Sequence, residues 1–363
     1  MAKNIGKQVQ QSAINVLGKF YNKINTKETK RTILVGGCSY FILGTEYKSK
    51  KIDKEVGEIP DDVYFHHTCP VAYFRIRNLN WFTYRKGFDK LPNSSLTTDV
   101  GWGCTIRTMQ MMISNAMQII YYNKEFLSTV EPYNPTQKEK LHSIMPFIDS
   151  LSPNSPLSIH PVYTNKHIMN QNKSGCSYLA PSVVAKAFVE IINEWKNSPI
   201  RCVLSSNVTL PLQELKKPPF QPTLVFLPVV LNYDIKSNIK MVYEHKLFAG
   251  IVGGIGDRSI YIYGFHALQF LYLDPHYVQN ATKNVAQIDF KDFSPLNNTL
   301  QRFELHSLDI NQLDEFCVFG FVCKNLHEVD DFVKLATTVF QIQKKQRLTT
   351  GSADIGGFEV LDF

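Results

Sequence analysis

The sequence predicts an α+β fold, because its two halves are patterned differently. In the first half apolar residues recur at steps of three and four; the clearest case follows Cys104, where Ile106, Met109, Ile113, Ala116 and Ile120 mark one face of a helix. In the second half, short apolar runs follow one another between Gly- and Asp-containing turns: LVFLPVVL (224–231), KLFAGIVGG (246–254), SIYIYGF (259–265) and LQFLYLDP (268–275). Helices gathered in one part and strands in another are the mark of an α+β arrangement rather than a βαβ series.

The chain has 363 residues, 44% hydrophobic and 20% charged, enough to bury one large core or two smaller ones. Residues 5–24 place Ile5, Val9, Ala13, Val16, Leu17, Phe20 and Ile24 at helical spacing, which predicts an amphipathic helix docked on the body or resting on lipid. Residues 1–54 carry eleven Lys/Arg against three Asp/Glu, so the net charge of +7 belongs to this segment and the rest is close to neutral. A neutral body argues against a nucleic-acid groove, whereas a basic arm fits transient contact with an anionic membrane surface. A charged stretch, KSKKIDKEVGEIPDD, separates the basic segment, taken as residues 1–55, from the body at 56–343. Residues 344–363 form a polar, Gly-containing tail that ends in FEVLDF.

Several classes are set aside. The run 224–231 is interrupted by Pro228 and is far shorter than the ~20 residues a bilayer span requires. The N-terminus lacks the apolar core and cleavage site of a secretory signal, which points to the cytoplasm. The seven cysteines (38, 69, 104, 176, 202, 317 and 323) include no C-x-x-C pair, so neither a disulfide framework nor a zinc site is expected, and no cofactor is called for. His66-His67-Thr68-Cys69 is the nearest approach to a metal cluster, and no second Cys/His pair stands at finger spacing. The glycines of VGGIGDRS (252–259) lack the lysine of a phosphate loop and read as a loop between strands.

Two stretches carry chemistry. Cys104 follows Gly-Trp-Gly and lies in the first turn of a predicted helix, where the helix dipole and unpaired amides lower a thiol's pKa and can hold an oxyanion. Read alone, such a cysteine serves packing more readily than catalysis. The second stretch is Asp274-Pro275-His276 at the end of an apolar run, a carboxylate placed to orient an imidazole; alone, it also fits a strand-end turn. A phosphatase cysteine is excluded, since position 110 is Gln where Arg would be needed.

Together these blocks resemble the autophagin family, the autophagy cysteine endopeptidases with a papain-like fold. The matching stretches run in order along the chain: VLGKFY (16–21), WFTYRKGF (81–88), TTDVGWGCTIRTMQMM (97–112), YLAPSVVAKAF (178–188), GGIGDRSIYI (253–262), LYLDPH (271–276) and CVFGFVCKNLHEVDDF (317–332). The resemblance implies a helix-rich part bearing the nucleophile, packed on an antiparallel sheet bearing Asp and His, with a small auxiliary insertion. It makes Cys104 the nucleophile, His276 the general base, Asp274 its orienter and Tyr84 a donor to the oxyanion. It also implies Trp102, Tyr178 and Gly254 as substrate-binding residues. The implied substrate is a ubiquitin-like autophagy modifier, both as precursor and joined to phosphatidylethanolamine, cut after its C-terminal glycine. Two stretches depart from the family: Tyr178-Leu179-Ala180-Pro181 replaces its Trp-Phe/Tyr-Gly-Pro, and Gly253-Gly254-Ile255-Gly256 lacks the proline of its G-G-Lys/Arg-Pro loop, which predicts a more flexible loop. In the tail, Phe358 and Leu361 match the short aromatic-x-x-aliphatic pattern that binds such modifiers as an added strand. A non-catalytic modifier-binding scaffold and a thiol hydrolase for another ubiquitin-like protein remain the alternatives.

Overall fold

Strand β6 (Thr223–Val230) shows how the body is assembled. Its even-numbered Leu224 and Phe226 enter one hydrophobic core, while Val225, Leu227 and Val229 enter a second core on the opposite face. The same split runs through β8 (Arg258–His266), with Tyr261 and Tyr263 on the first face and Ile260 and Ile262 on the second, and through β12 (Phe316–Cys323). A sheet covered on both faces has no solvent side, which is why its strands read as continuous apolar runs instead of alternating with polar residues.

The computed structural model describes residues 38–50, 61–121, 142–171, 178–205, 209–266, 268–284, 300, 305–341 and 343–344. The expected N-terminal helix, and Phe358 and Leu361 of the tail, lie outside the described residues. The central sheet has the order β11-β9-β8-β7-β12-β6-β4, with the hairpin β1–β2 joined to β8. Its strands are β1 (Ser39–Ile42), β2 (Thr45–Lys48), β4 (Arg201–Leu204), β6, β7 (Phe248–Ile255), β8, β9 (Gln269–Leu273), β11 (His306–Asp309) and β12. All neighbours are antiparallel except β4 and β6, which run parallel. The four strands expected between residues 224 and 275 are β6 to β9, and the fold is α+β. Pro228 is tolerated because β4 pairs β6 only as far as Phe226, so no amide is needed there on that side. Two short parallel pairs lie off the main sheet, β3 (Tyr84–Lys86) with β10 (Val278–Asn280), and β5 (Thr209–Leu210) with β13 (Gln343–Lys344).

The helices are α1 (Asp61–Thr68), α2 (Pro70–Arg77), α3 (Cys104–Tyr121), α4 (Ile159–Thr164), α5 (Lys166–Gln171), α6 (Pro181–Glu194), α7 (Leu212–Leu215), α8 (Tyr233–Ser237), α9 (Ile239–Tyr243) and α10 (Leu326–Val339). Helices α2, α3 and α6 contribute to the first core, and α8, α9 and α10 to the second. The expected apolar face of α3 is present, but the helix is not amphipathic in its setting: every residue from Cys104 to Ile119 is buried. Most of its polar side chains are paired inside the protein. Asn80 is bonded by Ser114 at 2.6 Å and by Asn115 at 3.0 Å, Gln118 accepts from Arg75 at 3.1 Å, and Gln110 donates to the Leu157 carbonyl at 2.8 Å. Buried polar groups that keep their hydrogen bonds cost little, and they fix one orientation of the helix about its axis. Among the described residues no helix is long and apolar enough to cross a membrane.

Candidate active site

The loop ahead of α3 is closed by one buried carboxylate. Asp99 Oδ1 accepts the Arg85 amide at 2.6 Å and Oδ2 takes the Arg107 Nε at 2.6 Å, while Arg107 Nη2 reaches Asp149 at 2.9 Å. Burial works against the Arg107 charge, but Asp149 and Asp99 outweigh it and hold the guanidinium protonated well above its ordinary range. The Asp99 carbonyl accepts the amides of Trp102 (3.2 Å) and Gly103 (2.9 Å), and a Cβ on Gly103 would come within 2.6 Å of the Asp99 Cβ. Only glycine lets the loop turn this tightly onto Asp99 and enter the helix at Cys104.

Cys104 is buried against Tyr84, Val100 and Val278. Tyr84 and Val278 face each other in the parallel pair β3–β10, and the Tyr84 amide donates to the Pro275 carbonyl at 2.9 Å, which ties β3 to the Asp-Pro-His turn after β9. In that turn Asp274 Oδ1 accepts both the His276 amide, at 2.9 Å, and His276 Nδ1, at 2.5 Å. The Trp81 indole N–H bonds the Asp274 carbonyl at 2.8 Å, and Arg258 pairs with Oδ2 from the other side. With Nδ1 engaged by the carboxylate, Nε2 is left for the Cys104 thiol. Tyr84 stands edge-on to the imidazole, with ring centres 5.3 Å apart.

These contacts set the charges. Burial disfavours the Cys104 thiolate, yet the hydrogen bond and charge of His276, the Ser259 backbone and the Tyr84 hydroxyl together hold the thiol below its ordinary pKa. Burial likewise opposes an imidazolium, but Asp274 and Cys104 reverse this and raise His276 to about 9. Asp274 is buried, which favours its neutral form, and the bonds from His276 with the Arg258 charge hold it well below the usual carboxylate range. Both shifts favour a thiolate beside an imidazolium. Such a pair supplies a nucleophile and a proton donor together.

The structure thus brings Cys104, His276, Asp274 and Tyr84 into one cluster. Of the residues expected at the substrate, Tyr178 is 43% exposed beside the cluster, its hydroxyl pushed up to about 12 by burial and by the negative charge of Cys104 and Asp314. Trp102 is buried, with its indole N–H on the Thr98 carbonyl at 3.2 Å and its ring edge-on to Tyr163, so it braces the loop from within and offers no open face to a substrate. Gly253 and Gly254 are corrected from a loop to a strand: they pair with Ile260 and Ser259 at the end of β7, and only Gly256-Asp257 turns the chain into β8. A Cβ on Gly254 would meet the Asp314 carboxylate at 2.5 Å, so this glycine serves strand packing. Sequence reasoning missed Arg258, Trp81 and the Asp99–Arg107–Asp149 network. WFTYR and D-x-G-W-G-C-x-x-R place these residues close to matched blocks, but only the fold shows that they converge. Among the described residues no group of three or more His, Cys, Asp or Glu gathers as for a metal.

A helix-start thiolate joined to a carboxylate-bound imidazole defines a thiol hydrolase, and comparison with known proteins makes it a cysteine protease. The peptidase C54 catalytic domain matches residues 72–335, and the chain belongs to that family, the autophagin family expected from the sequence. Its relatives include cysteine protease ATG4B of Oryza sativa subsp. japonica, 25% identical with 85% of this chain and 71% of the relative covered. Cysteine protease ATG4C of Xenopus laevis is 24% identical, covering 73% and 70%, and the probable cysteine protease ATG4 of Meyerozyma guilliermondii is 27% identical, covering 68% and 55%.

Proposed function

We propose that the chain is an endopeptidase that cuts after the C-terminal glycine of a ubiquitin-like autophagy modifier and also releases that modifier from phosphatidylethanolamine. The observation that carries this reading is the Cys104–His276–Asp274 chain of contacts at the start of α3. Membership of the peptidase C54 family supports the choice of substrate. Residues 56–343 form the peptidase domain, residues 1–55 a basic segment suited to transient contact with the membrane that carries the lipidated substrate, and residues 344–363 a tail whose Phe358 and Leu361 bind the modifier.

The Cys104 thiolate attacks the glycine carbonyl carbon, forming the C–S bond and placing negative charge on the oxygen. The Cys104 amide, which has no backbone acceptor among the described residues, and the Tyr84 hydroxyl stabilise that charge. When the intermediate collapses the C–N bond breaks, and His276 Nε2 gives its proton to the leaving amine, which belongs to the next residue in a precursor or to the ethanolamine headgroup in a lipid conjugate. Water then attacks the thioester while His276 takes its proton; breaking the C–S bond frees a glycine carboxylate and restores the thiolate–imidazolium pair. Throughout, Asp274 keeps Nδ1 protonated and Nε2 facing the sulfur.

The test is a gel assay of precursor and lipid-joined modifier, with ubiquitin fused at the same terminus as control. Cys104→Ala should lose on the order of 10⁴-fold or more in kcat on both modifier substrates. Leu361→Ala should raise KM with kcat kept, and ubiquitin should remain uncut. Equal processing by wild type and Cys104→Ala sinks the mechanism, and ubiquitin cleavage at the modifier's rate sinks the assigned substrate.

A further inference from the structure

Asp274 has two oxygens with separate partners. Oδ1 faces His276, from which it accepts two hydrogen bonds, and Oδ2 faces Arg258 at the start of β8. The pairing of β8 with β9 explains this arrangement. Tyr261 lies opposite Leu273, so one residue further Asp274 falls opposite Ile260, and Arg258, two residues along on the same face, is the diagonal neighbour that a long side chain reaches. Asp274 is only 3% exposed, whereas the Arg258 side chain is 31% exposed. An outer, partly solvated cation therefore grips the back of a buried carboxylate whose front holds the imidazole. The groups facing this pair include Cys104 from α3, Tyr84 from β3, His276 from the same turn and the Trp81 indole on the Asp274 carbonyl, and Asp314 accepts the Gly256 amide of the turn that leads into Arg258.

Resting on the Cys-His-Asp reading above, we propose that Arg258 is a positioning residue for the reaction: by occupying Oδ2 it locks the Asp274 carboxylate with Oδ1 toward His276 and limits how strongly that carboxylate holds the imidazolium proton. Two consequences follow. A carboxylate shared with a guanidinium presents less negative charge to the imidazole, so His276 keeps a proton it can still give to the leaving amine. A carboxylate held at both oxygens cannot rotate away during turnover, so Nε2 stays aimed at Cys104. The contact that ties Arg258 to the reacting groups runs through Asp274, so its loss should fall on kcat and on the position of the pH limb, with KM unchanged.

The experiment compares wild type, Arg258→Gln and Arg258→Lys in two assays: kcat and KM on the modifier precursor across the pH range, which carry the alkaline limb, and the pH dependence of Cys104 alkylation by iodoacetamide without substrate, which reports the thiolate. Arg258→Gln removes the charge and should lower kcat by about 10- to 100-fold at unchanged KM. It should also move the alkaline limb to higher pH, because an imidazolium relieved of a neighbouring cation holds its proton longer. Arg258→Lys restores the charge and should return the limb to the wild-type position, with part of kcat. If the Arg258→Gln limb coincides with wild type, or if the loss appears in KM, the proposal is overturned. If wild-type Cys104 alkylates with the profile of an ordinary thiol, the triad reading fails first, and the two failures are thereby told apart.

Discussion

At the scale of single residues, protonation at Cys104 and His276 governs the chemistry. Activity needs the thiolate and the imidazolium together, so kcat/KM should rise with pH as Cys104 ionises below its ordinary range and fall as His276 loses its proton near about 9. A pH profile on the modifier precursor checks this, and a flat profile through pH 9 would contradict the paired state. Asp274→Asn removes the main support of the imidazolium, so the alkaline limb should drop toward the ordinary histidine value and kcat should fall by on the order of 10⁴-fold. Stability follows the same sign. A histidine whose pKa is raised by folding contributes fully below its unfolded value, about 6.5, and loses that contribution as pH climbs through about 9. What was readable in the sequence was the adjacency of Asp274 and His276 and the place of Cys104 at the start of a helix, because two of them sit two residues apart and the third opens a strongly periodic helix. Arg258 was not, because its meeting with Asp274 depends on the β8–β9 register, which no short-range pattern encodes.

At the scale of elements, α3 carries Cys104, the proposed nucleophile, and the turn after β9 carries His276, its proposed base, so the fit of α3 on the sheet sets the distance over which the thiol and imidazole meet. At Gly320 of β12 an added Cβ would lie 2.5 Å from the Met112 sulfur, so α3 packs closely on the strand there. Gly320→Ala should lift α3 from the sheet, costing about 1–3 kcal/mol and lowering kcat, since a displacement of even ~1 Å can cost on the order of 10²-fold. Thermal melting and steady-state kinetics check the two effects. The periodicity of α3 was legible, but its burial was not. Arg107, Gln110, Ser114 and Gln118 lie off the apolar stripe, and the fold sets partners opposite each of them. Strands β6 to β9 were legible as apolar runs. The Gly253-Gly254 pair misled because glycines mark loops by default, and here Gly253 makes room for Leu313 and Cys317 and Gly254 for the Asp314 carboxylate beside β7.

At the scale of the whole molecule, the sheet divides the interior into a core that packs α3 and a second core on its opposite face. Met112, Ile106 and Trp102 belong to the first core, on the side from which α3 presents Cys104. Phe332 of α10 belongs to the second, buried against Phe321 with ring centres 5.1 Å apart. Phe332→Ala should cost about 3–5 kcal/mol through the cavity it leaves, lowering Tm by roughly 10 °C for a domain of this size. Because β12 stands between that cavity and α3, the enzyme that remains folded should keep its kcat when active sites are counted with a stoichiometric thiol-directed inhibitor. Gly320→Ala, on the reacting side of the same strand, should lower kcat per active site as well as Tm. A kcat per active site that falls equally in both variants would mean that the sheet transmits strain from one core to the other, and the division argued from its two faces would not hold.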